Sequence, residues 1–215
     1  MKNQQLLNSI SESYQLKAKN YKHYIGIDEV GRGALAGPIC AVAVLSDSLE
    51  KILDGPIKDS KKISEKKRAE LFKILDEKCL WGLGQVSEEM IDEIGIEKAN
   101  FLVYEEAVDN LLKKTEIDLE ETLLLIDGNR LKSKKLQAIS HQLIVRGDEK
   151  ISLIAVASIL AKVSRDNLMK KFHEIEPDYD WSKNKGYGTK DHFEAIKKNG
   201  LSKLHRRSFL TKLNF

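Results

Sequence analysis

An α/β fold built on a mixed sheet is predicted by this sequence of 215 residues. Three observations carry the prediction. Short runs rich in β-branched residues recur, among them HYIGIDEV (23–30), PICAVAVL (38–45) and LLLID (123–127). Longer stretches at helical spacing separate several of them, and from residue 151 onward the chain reads as helix alone. No repeat, low-complexity tract or linker interrupts the pattern, and with only three prolines (Pro38, Pro56 and Pro177) a single domain over 23–215 is expected.

Taken in order, residues 1–22 place Leu6, Leu7, Ile10, Tyr14 and Leu16 at roughly helical spacing, which predicts a leading helical extension. HYIGIDEV reads as a strand that runs into the loop GRGALAG, and PICAVAVL as a second strand directly after it. Ser64 is placed to cap an amphipathic helix, SEKKRAELFKILDEKC, with Glu65 in its first turn. CLWGLGQV (79–86) predicts a third strand, Ser87 opens further helix, and a long helix covers 97–114. LLLID and QLIVRGD (142–148) read as two more strands, each ending in aspartate. ISLIAVASILAKVSRDNLMKKF (151–172) is long and alanine-rich, the composition of a buried, closely packed helix. Shorter helices follow around 189–198 and 201–212.

Composition narrows the classes of function. A hydrophobic fraction of 41% with 32% charged residues is that of a globular protein and excludes a disordered one. No stretch approaches the ~20 consecutive apolar residues of a membrane span. The leading segment MKNQQLLNSISESYQLK lacks the apolar core of a secretory signal, so the cytoplasm is the expected location. Cys40 and Cys79 sit far apart in apolar stretches and read as buried thiols. From Trp181 to Phe215 there are nine Lys or Arg against two acids, Asp191 and Glu194, which points to a polyanionic partner near that end.

The chemistry is carried by acids that follow apolar runs: Asp28 and Glu29, Asp127, and Asp148. A desolvated carboxylate costs several kcal/mol unless it is paired or metal-bound. One such acid reads as a loop cap; three strand ends in one chain do not. At a shared sheet edge the acids would repel one another, and a divalent cation with oxygen ligands, Mg²⁺ or Mn²⁺, resolves the conflict. Adjacent strand residues point to opposite faces, so Asp28 and Glu29 can share a site if the strand ends or bulges near Gly31 and Gly33. The loop GRGALAG loosely matches a dinucleotide fingerprint, but Pro38 and a strand follow where a helix is required, and no GK[ST] follows for a phosphate loop.

The blocks GIDEVGRGALAGP (26–38), DSKKIS (59–64), LLIDGNR (124–130), VRGDEKISLIAVASILAKVSRD (145–166), KGYGTKDH (185–192) and HRRSF (205–209) occur in this order. Together they resemble bacterial ribonuclease HII, the type 2 ribonuclease H family. The resemblance spans about residues 23–209. The related ribonuclease HIII is expected to carry a sizeable extra N-terminal domain, for which 22 residues leave no room. The resemblance implies a ribonuclease H-like mixed sheet flanked by helices, with a helical C-terminal part. It also implies cleavage of RNA in RNA–DNA hybrids, and cutting 5′ to single ribonucleotides embedded in DNA, with 3′-hydroxyl and 5′-phosphate products. The four carboxylates of the family fall on Asp28, Glu29, Asp127 and Asp148, as ligands of two Mn²⁺ or Mg²⁺ ions bridged by Asp28. Its ribose-reading loop falls on Gly31, Arg32 and Gly33, and its sugar-stacking tyrosine on Tyr187. Ala34 departs from the pattern, where proline is frequent.

Lys61, Lys62, Lys185, Arg206 and Arg207 are candidates for phosphate contacts. Lys162 and Arg165 would reach the edge of the site or cover it, and the five histidines show no pairing. A monomer is expected, and the final KLNF offers no clear sliding-clamp motif. The main rival is a non-catalytic binder of RNA–DNA hybrids, which would need the basic tail and Tyr187 but none of the acids; another is a nuclease of the same fold acting on DNA junctions or ends, which the GRG and KGYG loops disfavour.

Overall fold

The computed structural model describes residues 21–46 and 64–211; the expected leading helix, the DSKKIS block up to Ile63 and the last four residues lie outside them. Five strands form one sheet: β1 (His23–Val30), β2 (Ile39–Leu45), β3 (Trp81–Val86), β4 (Thr122–Asp127) and β5 (His141–Ile144). Their order is β3-β2-β1-β4-β5, antiparallel from β3 to β1 and parallel from β1 to β5. The sheet is therefore mixed, as the sequence predicts.

The helices are α1 (Glu65–Lys78), α2 (Glu88–Ile94), α3 (Ile96–Leu112), α4 (Lys134–Gln137), α5 (Gly147–Lys150), α6 (Ser152–Ile175), α7 (Trp181–Asn184), α8 (Lys190–Asn199) and α9 (Arg207–Leu210). Ser64 caps α1 by accepting from Lys67 N at 3.3 Å, and Ser87 caps α2 by accepting from Met90 N at 3.2 Å. These side chains satisfy N–H groups that the first helical turn leaves unpaired.

Helices cover both faces of the sheet. On one face Ile25, Ile27, Ala41 and Ala43 pack against Val103, Tyr104 and Ala107 of α3. On the other Tyr24, Val42 and Val44 join the core with Leu153, Val156, Ala157 and Leu160 of α6. All seven residues of β2 are buried, so it reads as an unbroken apolar run rather than an alternating one. Gly26 of β1 admits this packing: a Cβ there would stand 2.7 Å from Leu153 of α6.

A third cluster holds the C-terminal segment. Met169 of α6 packs with Ala36, Tyr179, Trp181 and Ile196, and the Tyr179 and Trp181 rings stack at 5.0 Å. This cluster fastens the loop after β1 to the chain from Pro177 onward, and so decides where the predicted binding loops stand.

Candidate active site

The first two acids come from opposite faces of one strand. β1 pairs regularly through them, Asp28 with Val42 and Glu29 with Ala41, without a bulge, and ends one residue later at Val30. Of the two routes expected from their adjacency, the structure takes the strand end and not the bulge. Asp28 lies on the α6 face, where Ser158 hydrogen-bonds its carboxylate. Glu29 lies on the α3 face, where the Tyr104 hydroxyl donates to its Oε2. Both reach one cleft because it wraps around the end of the sheet.

Asp127 closes β4, one step beyond the Ile27–Ile126 pair and thus level with Asp28. Its Oδ1 accepts from the backbone N–H of Gly147 at 2.6 Å. Asp148 is buried in the first turn of α5, not at the end of a strand. The predicted strand through VRGD stops at Ile144 because its only neighbour, β4, ends at its partner Asp127. Two residues beyond that pair Arg146 turns the chain in the left-handed region at φ 56°.

The four carboxylates line one open cleft of about 400 Å³, with Ser158, Lys162 and Arg68 on its walls. Burial, then the charges of Glu29 and Asp127, push the Asp28 carboxyl well above the usual range against the Ser158 hydrogen bond. Glu29 is raised by burial too, opposed by the Tyr104 bond and by Arg32. Among the described residues no three His, Cys, Asp or Glu side chains converge into a ready-made ligand cage. The donor set is nonetheless oxygen-only, crowded and electrostatically frustrated. Those are the properties of a hard-cation site that leaves room for water, so the residues fit a divalent metal.

Beside the acids runs the glycine loop. Gly31 has φ 88°, and a Cβ there would stand 2.2 Å from Arg165 Nε, so both backbone and space demand glycine. Arg32 and Gly33 are exposed, with nothing within 4 Å of the Gly33 Cβ position. The loop is held from below by two buried arginines. Arg165 donates to the carbonyls of Pro38, Lys185 and Ala36 at 2.8, 2.8 and 3.0 Å. Arg206 donates twice to Gly37 O, at 2.9 and 2.8 Å, and once to Arg32 O at 3.0 Å. Burial pulls Arg206 down to about 10, with Arg165 adding to the shift, which leaves it charged at neutral pH.

Tyr187 is half-buried in the loop that faces this one, with Lys162 Nζ 5.9 Å and the Arg165 guanidinium 5.5 Å from the centre of its ring. The candidates for phosphate contact separate sharply. Arg207 is exposed, whereas Lys61 and Lys62 lie outside the described residues. Arg206 and Lys185 are corrections to the sequence reading. Arg206 is fully buried on the carbonyls named above. Lys185 is buried as well, its ammonium donating to Ser182 O and its own carbonyl accepting from Arg165. Lys162 takes up the cationic position at the cleft, ion-paired to Asp166 at 2.8 Å.

Sequence reasoning missed Tyr104 and Ser158. Ser158 was detectable as a polar residue inside an apolar helix, but Tyr104 reads as ordinary core. It also missed a pairing of histidines: the Nε2 atoms of His192 and His205 lie 3.1 Å apart.

Fold and site together define a nuclease of the ribonuclease H class, with carboxylates gathered at the edge of a mixed sheet beside a glycine loop. Comparison with known proteins narrows the class: the family described as Ribonuclease HII matches residues 25–212. A Ribonuclease HII of Fusobacterium nucleatum is 47% identical over 90% of this chain and 88% of its own. The RNase HII in the PCNA:RNase HII complex from Archaeoglobus fulgidus superposes with a TM-score of 0.66 at 26% identity, covering 85% of this chain and 93% of that one. Bst-RNase HIII in complex with Mn²⁺ shares the fold, with a TM-score of 0.69 at 17% identity over 91% of this chain and 68% of that one. This chain belongs to the ribonuclease HII family and is an endoribonuclease of RNA–DNA hybrids.

Proposed function

We propose that the enzyme cuts the phosphodiester bond 5′ to a ribonucleotide, both in hybrids and at single ribonucleotides embedded in duplex DNA, leaving 3′-hydroxyl and 5′-phosphate ends. The observation that carries this reading is the placement of Asp28, Glu29, Asp127 and Asp148 on one cleft next to the exposed backbone of Arg32 and Gly33.

The four carboxylates would hold divalent cations, Mg²⁺ or Mn²⁺. When bound as a pair, such ions supply an activated water and neutralise charge on the leaving oxygen. The chain's own residues do the rest. Asp28, kept in place by Ser158, and Glu29, kept by Tyr104, present oxygens from the two faces of β1. The Gly31–Gly33 backbone contacts the 2′-hydroxyl, the group that separates RNA from DNA. Tyr187 packs on the deoxyribose beyond the ribonucleotide. Arg207 and the basic surface of the C-terminal segment contact phosphates, as do Lys61 and Lys62. Lys185 and Arg206 serve instead by holding the two loops.

Among the described residues no helix is long and apolar enough to cross a membrane. The Archaeoglobus relative is seen with PCNA.

The test is an end-labelled DNA duplex with one ribonucleotide, incubated with Mg²⁺ or Mn²⁺ beside chelator and all-DNA controls. Metal-dependent cutting immediately 5′ to the ribonucleotide, with the all-DNA duplex intact, is expected. A folded protein that leaves this duplex whole in both metals would refute the single-ribonucleotide reading.

A further inference from the structure

Two buried histidines outside the carboxylate cleft form a continuous hydrogen-bonded chain that ends on Tyr187. The backbone N–H of Ser202 lies 2.9 Å from His205 Nδ1, His205 Nε2 lies 3.1 Å from His192 Nε2, and His192 Nδ1 lies 2.9 Å from Tyr187 O. A backbone N–H only donates and a carbonyl only accepts, so the proton positions are determined at every link. His205 accepts at Nδ1 and carries its proton on Nε2. It donates to the bare Nε2 of His192, whose proton sits on Nδ1 and points at Tyr187 O. Both rings are neutral, and every ring nitrogen is used.

The same residues are tied to the ribose-reading loop. His205 bridges Ala36 through its backbone, Gly37 N donates to Leu204 O at 2.8 Å, and Arg206 N donates to Leu35 O at 2.8 Å. From the Tyr187 side, Gly186 O accepts from Leu35 N at 2.7 Å and Ala36 N at 3.2 Å. Gly186 has φ 82°, and a Cβ there would stand 2.4 Å from Ala36 O, so the two loops touch backbone to backbone. The Tyr179 and Trp181 rings pack against the His205 ring at 5.0 and 6.0 Å. His205 thus stands at the joint between the loop expected to read the ribose and the loop carrying the tyrosine.

We propose that His192 and His205 are positioning residues for substrate selection: they set where Tyr187 stands relative to the Gly31–Gly33 backbone, and so set the preference for a ribonucleotide followed by a deoxyribonucleotide. The inference rests on the reading above in which Tyr187 packs on that deoxyribose. The neutral state agrees with burial, which pushes His205 down to about 4 and lowers His192. Neither ring touches the cleft, so the effect is on discrimination and not on the chemical step.

The experiment compares kcat and KM on two substrates, a duplex with one ribonucleotide and a uniform RNA–DNA hybrid, which offers no deoxyribose at the junction. His192→Phe keeps the ring volume and loses both hydrogen bonds. It is expected to lower kcat/KM at least ten-fold on the single ribonucleotide and two-fold or less on the uniform hybrid. His192→Asn, whose amide N–H stands close to the Nδ1–H position, is expected to restore most of the loss. Combining His192→Phe with Tyr187→Ala should cost no more than Tyr187→Ala alone, since both act through one ring. Equal losses on both substrates, or additive losses in the double variant, would overturn the inference while leaving the functional reading intact. Failure of the wild type to cut the single ribonucleotide would overturn that reading and the inference with it. Should His192→Phe fold poorly, long-range ¹H–¹⁵N spectra of the wild type decide the relay. Protons on His192 Nδ1 and His205 Nε2 are expected, and the opposite tautomers would overturn it.

Discussion

Asp28 occupies a position where burial and two neighbouring carboxylates work against ionisation. A carboxyl whose folded pKa exceeds its unfolded value binds its proton more tightly in the folded state. Its ionised form therefore costs stability at neutral pH, and the cost fades as the pH falls through the folded pKa. In chelator at pH 7, Asp28→Asn should accordingly raise Tm by about 2–6 °C, corresponding to roughly 1–2 kcal/mol for a domain of this size. The gain should shrink as the pH is lowered, while cleavage drops by about a thousand-fold or more and binding of the hybrid persists. A lower Tm for the variant in scanning calorimetry would show that Asp28 stabilises the fold by some other contact.

His205 behaves in the opposite sense. Its ordinary value of 6.5 is pushed to about 4 by burial first, then by the neighbouring His192 and by Arg207. The Tyr179 and Trp181 rings complete its surroundings. The folded core refuses a proton that the unfolded chain accepts, so the stability from neutral His205 is complete above pH 6.5 and declines as the pH falls towards 4. His205→Gln cannot titrate in this range. Denaturant unfolding at pH 7 and pH 5 should therefore find the wild type losing more stability than the variant between the two, and an equal loss would contradict the buried neutral ring.

Helix α3 and strand β3 show how an element far from the chemistry sets the site. β3 reads WGLGQV, and its two glycines face the helix. A Cβ at Gly84 would stand 2.1 Å from Val103 O, and one at Gly82 would stand 2.2 Å from Ala107 O. Glycine in a strand here marks the close approach of another backbone. The same helix, with the residues just beyond it, covers the polar groups of this edge strand. Glu106 accepts from Gln85 N at 3.0 Å, Asn110 donates to Leu83 O at 2.8 Å, and Lys114 donates to Trp81 O at 2.7 Å. Their spacing of four residues matches the turn of the helix to alternate strand positions, and it blunts an edge that would otherwise recruit another strand. Gly84→Ala should push α3 away from the sheet and cost about 1–3 kcal/mol. Because α3 carries Tyr104, the support of Glu29, cleavage should fall along with stability. Chemical denaturation together with the hybrid assay checks both, and a neutral Gly84→Ala would mean the helix can slide without loss.

At the scale of the whole molecule the acids and the buried cations are kept apart. The four carboxylates open onto the cleft, while Arg165 and Arg206 lie beneath the glycine loop on backbone carbonyls. Both arginines thus spend their hydrogen bonds on backbone carbonyls rather than on the four acids. A cation that binds only the folded state stabilises it by mass action, about 2.7 kcal/mol at one hundred times its Kd. Saturating Mn²⁺ should raise Tm of the wild type by several degrees and that of Asp28→Asn by much less. Equal shifts in both would place the ion elsewhere.

Much of this was legible in the sequence because burial of charge is expensive. Acids ending apolar runs stood out at Asp28, Glu29 and Asp127 for that reason alone, and Ser64 and Ser87 announced their helices because caps act within one turn. The strands were visible in their apolar runs, although the parallel pairing of β1 with β4 beside its antiparallel pairing with β2 was not. Local pattern carries no information on which distant backbone will satisfy an N–H. Where two residues are chemically alike and adjacent, sequence could not separate them. Arg206 is buried on the glycine loop and Arg207 is exposed, a difference made entirely by the direction in which the chain enters α9. Asp148 was visible as an acid, but its placement in a helical turn was not, since the strand expected to bear it stops at Ile144.

By itself, then, the sequence determined the α/β class, the capped starts of α1 and α2 and the acids to look for, because each depends on interactions within a few residues or on the cost of burying charge; the helix expected over 201–212 begins only at Arg207. Tertiary structure alone decided that Asp28 and Glu29 approach one cleft from opposite faces, that Tyr104 supports Glu29 from 75 residues away, and that His192 and His205 meet. Those outcomes depend on how whole elements pack, and packing is a property of surfaces that no stretch of chain contains until it has folded.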